Sequence, residues 1–289
     1  MDQTAESTPI LDEKRWSVLE RKAQELRAVE AFHLFRANDI EPILIKGLAA
    51  AYNYPYGRAR TSVDMDLAVK TDDYENAKEV ARTAGAAGLA IDVHDELRHL
   101  DSVQWSDLFA NSVNVEVQDT PLRFLRPEDH LRVLCLHWLT DGGKWRGRLW
   151  DIYYAVDNRP QDFDWDRFLS VVSSGRRRWL ECTLGLAEKY LDLDLSLTPL
   201  ENSADRLPNW LIKTVERQWA DDEPIVPLSA CRYDKKLLLK QIGKRIPPNP
   251  IQATIDVEGS FDARTRVGYQ IASFFKRLVH ASRMSPQAG

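Results

Sequence analysis

Two short apolar runs, each tied to polar residues at a fixed place, constrain this chain most. Ile43-Leu44-Ile45 leads straight into Lys46-Gly47, and residues 63–69 read Val-Asp-Met-Asp-Leu-Ala-Val. Side chains alternate along a strand, so Asp64 and Asp66 are expected on one face, with Val63, Met65 and Leu67 on the other. Neighbouring carboxylates repel, and a folded chain keeps such a pair most readily with a cation between them. Oxygen donors of this kind suit Mg²⁺, which is commonly held by one or two carboxylates plus substrate phosphates. The expectation is a metal site that handles a phosphate-bearing ligand. Without metal, neutralising either aspartate should relieve repulsion and barely change stability.

The rest of the chain supplies a frame for that site. Residues 12–38 read as a helix, with Trp16, Leu19, Ala23, Leu26 and Val29 as its apolar stripe. Pro42 ends it, 43–45 form a buried strand, and a short helix follows Gly47. A loop carrying Arg58 and Arg60 leads to the 63–69 strand. A helix over 74–84 is then expected, with strands over 89–93 and about 99–105. Val113-Asn114-Val115-Glu116-Val117 is a clean alternating strand that presents Asn114 and Glu116 on one face. After Pro121 the character changes, and helical segments follow from Pro127-Glu128-Asp129 onward. The fold class expected is α/β (α+β), a short mixed sheet followed by an all-helical C-terminal half. The expected domains are residues 1–122, with the N-terminal helix, and 123–289.

Composition narrows the partners. A net charge of −5 over 289 residues gives no electrostatic case for broad nucleic-acid binding. Cys135, Cys182 and Cys231 are odd in number and far apart, which makes neither a disulfide framework nor a zinc pattern. They read as buried thiols. The polar, acidic residues 1–12 do not resemble a signal peptide, and no run approaches a membrane span. A cytoplasmic location is the expectation.

Lys46-Gly47, the block Arg60-x-x-x-Asp64-x-Asp66-Leu67 and a later acidic strand residue resemble the polymerase-beta-like nucleotidyltransferase superfamily. With the Tyr54-Pro55 turn, His137-Trp138 and Leu149-Trp150-Asp151-Ile152-Tyr153, the pattern is most similar to its uncharacterised bacterial nucleotidyltransferase family. The resemblance implies a polymerase-beta-like core and transfer of a nucleoside monophosphate from a nucleoside triphosphate, with release of pyrophosphate. Asp64, Asp66 and Glu116 would be the catalytic carboxylates and would hold Mg²⁺, with Mn²⁺ as the alternative. Gly47 would let backbone N–H groups approach phosphate, and Lys46 and Arg60 would offset its charge. The chain departs from many members in following the strand with Lys-Gly-Leu-Ala rather than Gly-Gly or Gly-Ser. The acceptor is left open: a small molecule, a peptide or a protein side chain. Two other readings stand beside it, a non-catalytic nucleotide-binding or scaffold protein on the same fold, and a toxin-like transferase of a toxin–antitoxin system.

Several residues carry two readings. Asp119 competes with Glu116 for the third carboxylate. Lys144-Trp145-Arg146-Gly147-Arg148 reads either as a solvated basic loop or as an arm on which Lys144 and Arg148 hold nucleotide across a cleft. His137 reads as a packed, hydrogen-bonded histidine. His130, beside Asp129, reads as polarity at a helix start.

Overall fold

Between Pro9 and Asn38 the chain has neither proline nor glycine, and it folds as one helix, α1 (Thr8–Arg36), with Pro9 in the first turn, where its missing N–H costs nothing. The computed structural model describes residues 8–97, 103–170, 172–221 and 226–284. Helix α1 stops where Asp39 takes a φ of 59°. The structure corrects its packing face. Trp16, Leu19 and Leu26 are more than half exposed, while Ala28, Ala31, Phe32 and Phe35 are fully buried. Both sets recur every three to four residues, so period alone admits two stripes. The two phenylalanines choose between them, since each adds ~1.5–3 kcal/mol when it leaves water.

Five strands follow: β1 (Ile43–Leu44), β2 (Met65–Val69), β3 (Ile91–Asp95), β4 (Val113–Val117) and β5 (Thr120–Phe124). They form one mixed sheet in the order β3-β2-β1-β5-β4. Strand β2 is antiparallel to β1 and parallel to β3, while β5 is parallel to β1 and antiparallel to β4. Short helices α2 (Leu48–Ala51) and α4 (Trp105–Ala110) and the longer α3 (Tyr74–Ala86) fill the connections. Leu44, Met65, Leu67, Val69, Val117, Leu122 and Phe124 join Phe32, Ala77 and Val80 in one core, so α1 and α3 cover one face of the sheet. The register places Asp66, Asp92, His94, Arg123 and Glu116 on the opposite face.

Two strand expectations change. Strand β2 begins at Met65, because pairing to β3 starts there; Val63 is 87% exposed and Asp64 precedes the strand. Strand β5 is not expected from the sequence, in which the character changes after Pro121. It is hidden by Pro121 and by a two-residue turn at Gln118 and Asp119, both at positive φ (50° and 62°), without the Asn-Gly or Asp-Gly that usually marks such a hairpin. The strand expected over 99–105 lies mostly outside the described residues, and Trp105 opens α4.

From Pro127 on, every regular element among the described residues is helical: α5 (Pro127–Thr140), α6 (Leu149–Asp157), α7 (Trp165–Ser170), α8 (Ser174–Leu191), α9 (Asn209–Trp219), α10 (Lys235–Gly243), α11 (Pro250–Asp256) and α12 (Val267–Met284). The chain divides into two compact units, and not at residue 122, which lies inside β5. Unit one is Met1–Leu134 with Asp151–Val172; unit two is Cys135–Trp150 with Ser173–Gly289. The first unit thus takes in most of α6 and all of α7, elements a linear reading assigns to the helical half. In the second unit Gly185 of α8 lies so near Ser203 that a Cβ would meet its carbonyl oxygen at 2.7 Å, and Trp179 and Trp210 donate to the carbonyls of Gly259 and Phe261. The three cysteines are buried free thiols. No helix among the described residues is long and apolar enough to cross a membrane.

Candidate active site

The site is built where β1 ends beside the middle of β2. Lys46 lies two residues past the end of β1, after Ile45, and its Nζ lies 2.5 Å from Asp66 Oδ1. Both side chains are about nine-tenths buried. On the other side of β2, the parallel register sets Asp92 opposite Asp66 and His94 opposite Ala68. Ala68 carries only a methyl group, which leaves room for the imidazole to lean over Asp66. His94 Nε2 donates to Asp66 Oδ1 at 3.0 Å and lies 3.4 Å from Asp92 Oδ2. Burial would raise the Asp66 carboxyl, but the His94 hydrogen bond and the Lys46 ammonium outweigh it and hold it below the usual carboxylate range.

Asp66, Asp92 and His94 each offer a ligand atom within 4.8 Å of the others. Two carboxylates and an imidazole are a donor set that fits a divalent cation. Asp66 therefore sits among a lysine, a histidine and a second aspartate. The expectation that its neutralisation would relieve repulsion is overturned, because an asparagine there would leave a buried lysine without its counter-charge.

Around this cluster stand the residues suited to phosphate. Gly47 has φ +61° as the chain turns into α2, and a Cβ on it would come within 3.3 Å of Ser62 Oγ. Any side chain there meets both strain and the Ser62 hydroxyl. Ser62 donates to the Asp64 carbonyl at 2.8 Å. Asp64 is exposed and lines a small hollow with Gln24, Arg27 and Ser62. It lies outside the Asp66–Asp92–His94 group.

Arg60 is held by a residue far along the chain. Its Nη2 and Nε reach Asp151 Oδ2 and Oδ1 at 2.9 and 3.2 Å, and Tyr54 Oη donates to Asp151 Oδ1 at 2.7 Å. Burial opposes the guanidinium charge, but Asp151, and more weakly Asp66, outweigh it and raise its pKa. Burial and the Asp151 charge push the Tyr54 phenol up. Behind them His130 is buried and its Nε2 has no hydrogen-bond partner among the described residues. Burial pushes its pKa down to about 4. His130 is a neutral interior group, not the helix-start polarity its sequence position suggested.

Glu116 is not brought to this cluster. It shares the face of Asp66, but β1 and β5 lie between β2 and β4. Three strand spacings are ~14 Å, beyond what one ion can bridge. Glu116 is exposed near the free edge of the sheet, opposite Pro121, and Asp119 is in the hairpin turn. Lys144 and Arg148 belong to the second unit. The Lys144 ammonium lies 4.9 Å from the Trp145 ring, and Arg148 donates to His137 Nε2 at 2.7 Å and to the Asp141 carboxylate.

Sequence reasoning missed Asp92, His94, Tyr54 and Asp151 as parts of the site. For Asp92 and His94 the signal was present: Ile91-Asp92-Val93-His94 alternates in the same sense as Met65-Asp66-Leu67-Ala68. For Asp151 the signal was the motif Leu149-Trp150-Asp151-Ile152-Tyr153, but only the fold, which returns Asp151 to the first unit, shows what it holds.

The sequence model of a family described as "Uncharacterised nucleotidyltransferase" matches residues 10–192. No curated protein and no solved structure matches the chain.

Proposed function

We propose that this chain, which belongs to the uncharacterised nucleotidyltransferase family, moves a nucleoside monophosphate from a nucleoside triphosphate to an acceptor hydroxyl. The observation that carries the reading is the joining of Asp66, Asp92 and His94 beside Lys46-Gly47, in a stretch the family model covers. In this reading the acceptor oxygen forms a bond to the α-phosphorus, the bond from that phosphorus to the β-phosphate oxygen breaks, and pyrophosphate leaves. A divalent cation, Mg²⁺ or Mn²⁺, supplies charge neutralisation on the triphosphate.

The chain's own residues do the rest. Asp66 and Asp92 would hold the cation, and Asp64, exposed two residues before Asp66, would add a carboxylate outside that group. Asp92, the more exposed of the cluster's two carboxylates, takes the proton of the acceptor hydroxyl. Backbone N–H groups at Gly47 approach the phosphates, and Lys46 and Arg60 offset charge that grows on the departing pyrophosphate. Asp151 and Tyr54 fix the Arg60 guanidinium so that little order is lost on binding. The acceptor is a small molecule, a peptide or a protein; acidic overall charge disfavours nucleic acid.

One observation favours the non-catalytic, nucleotide-binding reading: Lys46 already neutralises Asp66 at 2.5 Å. Two measurements separate the readings. One is calorimetric titration of ATP, CTP, GTP and UTP with and without divalent cation, and the other is transfer of α-labelled nucleotide to candidate acceptors. Cation-dependent binding with labelled product supports the transferase. Cation-independent binding without release of pyrophosphate supports a sensor or scaffold, and no binding of any nucleotide removes both.

A further inference from the structure

We infer that His94 is a ligand of the cation and that it turns the site toward a first-row transition ion, Mn²⁺ among them, over Mg²⁺. The inference rests on the proposed metal site and specifies its selectivity. Its geometric basis is independent of Glu116 and of the second unit.

A histidine beside an aspartate is usually just its hydrogen-bond donor. Three features here ask for more. First, the Nε2 atom faces two carboxylates at once, Asp66 Oδ1 at 3.0 Å and Asp92 Oδ2 at 3.4 Å. Second, the three donors come from paired positions of two parallel strands, so the backbone sets their separation. Third, the imidazole reaches Asp66 over Ala68, the one side chain on that stretch of β2 small enough to permit it. Asp66 already has Lys46, so His94 is not required to satisfy it. An ion at this point would take the Nε2 lone pair, and the ring would bind it as neutral imidazole with its one proton on Nδ1, any second proton leaving to solvent.

The donor chemistry decides the ion. Mg²⁺ prefers an all-oxygen octahedron and gives up water reluctantly. Imidazole is a better partner for Mn²⁺, Zn²⁺ and their neighbours, and affinity rises along that series. Two carboxylates and one imidazole therefore bind a transition ion more tightly than Mg²⁺, and leave positions for phosphate oxygens.

Mn²⁺ is the probe, because its free-ion paramagnetic resonance signal falls on binding. The full chain is titrated with Mn²⁺, and then with Mg²⁺ as competitor. Wild type, His94→Ala, His94→Asp and Asp66→Asn are compared, each checked for folding by circular dichroism. Wild type should prefer Mn²⁺ by ~10-fold or more, and His94→Ala should lose ~10-fold or more of Mn²⁺ affinity while Mg²⁺ changes little. His94→Asp should shift the preference toward Mg²⁺, since it makes the donor set all oxygen. Asp66→Asn should lose both ions. An unchanged Mn²⁺/Mg²⁺ ratio in a folded His94→Ala overturns the role of His94 and leaves the metal site standing. Wild-type protein that binds neither ion, or binding that survives in Asp66→Asn, overturns the metal site as well.

Discussion

The two ends of the sheet look alike on paper and differ in space. At one end β2 and β3 carry Asp66, Asp92 and His94; at the other β5 and β4 carry Arg123, Asn114 and Glu116, all on the same face. The first set closes to within 4.8 Å and is backed by Lys46. In the second, Glu116 faces Pro121 and Arg123 turns to Ser112 and Glu41. Alternation decides which face a residue takes, and strand order decides whom it meets. Acidic residues on one face of one sheet are therefore not yet a site.

The contrast is tested most severely at Asp66. Asp66→Asn should lower nucleotide transfer by ~10²–10³ or more, the scale for removing one preorganised group in a charged transition state. It should also lower the melting temperature by several degrees, because Lys46 is left buried without its counter-charge. Calorimetry with cation and nucleotide, beside a melting curve, reads both effects. A mutant that melts like wild type would mean that Lys46 finds another partner and that the cluster is looser than its distances say.

The next test concerns the support brought in by α6. Asp151→Asn keeps the shape and removes the charge that orients Arg60. Transfer should fall ~10–100-fold, the range seen when a residue behind a ligand is lost, with the loss in turnover and not only in nucleotide affinity. Equal loss from Asp151→Asn and Arg60→Ala, with no further loss in the double mutant, would show that the two act as one unit. Additive losses would make Asp151 a structural tie alone.

What was legible follows the same line. The β2 strand, the Lys46-Gly47 turn, the Val113–Val117 strand and the long helices were readable, because each is written in a local period or a local breaker. The partner of Asp66 was not. Glu116 looked right because its strand had the cleaner alternation, whereas Asp92 and His94 lie on a strand whose end was placed too early. The choice between them depends on β3 pairing with β2 while β4 pairs only with β5, and no window of sequence contains that. The α1 stripe failed for a related reason: two faces with the same period compete, and the sheet takes the one that carries Phe32 and Phe35.

His130 sharpens the comparison by a different route, since acid should weaken the interior behind Arg60. Its folded pKa, about 4, lies below the ordinary value near 6.5. The unfolded chain therefore binds the proton first. This contribution is constant above ~6.5, falls as the pH drops toward 4, and is level below that. At pH 5.5, one unit below the ordinary value, the loss is ~1.4 kcal/mol. Denaturant melts of wild type and His130→Gln between pH 7.5 and 5 should show a steeper acid decline in wild type. Parallel curves would show that His130 accepts its proton in the folded state.

The smallest expected effect carries the sharpest risk for the whole contrast. Glu116 is exposed, three strand spacings from Asp66, and opposite a proline that offers its carboxylate no donor. Glu116→Gln keeps length and shape and removes one charge. Stability should stay within ~0.5 kcal/mol, the usual range for a surface change away from special features. Metal affinity and transfer should stay within ~2-fold, because a solvated charge ~14 Å away lies beyond the Debye length of ~8–10 Å at ordinary salt. Mn²⁺ binding, transfer rate and melting temperature are measured on one preparation beside Asp92→Asn, which should lose the first two. If Glu116→Gln lost transfer and metal while Asp92→Asn kept them, the carboxylate of the far edge would be the working one. The sheet would then have to bring β4 toward β2 when nucleotide binds.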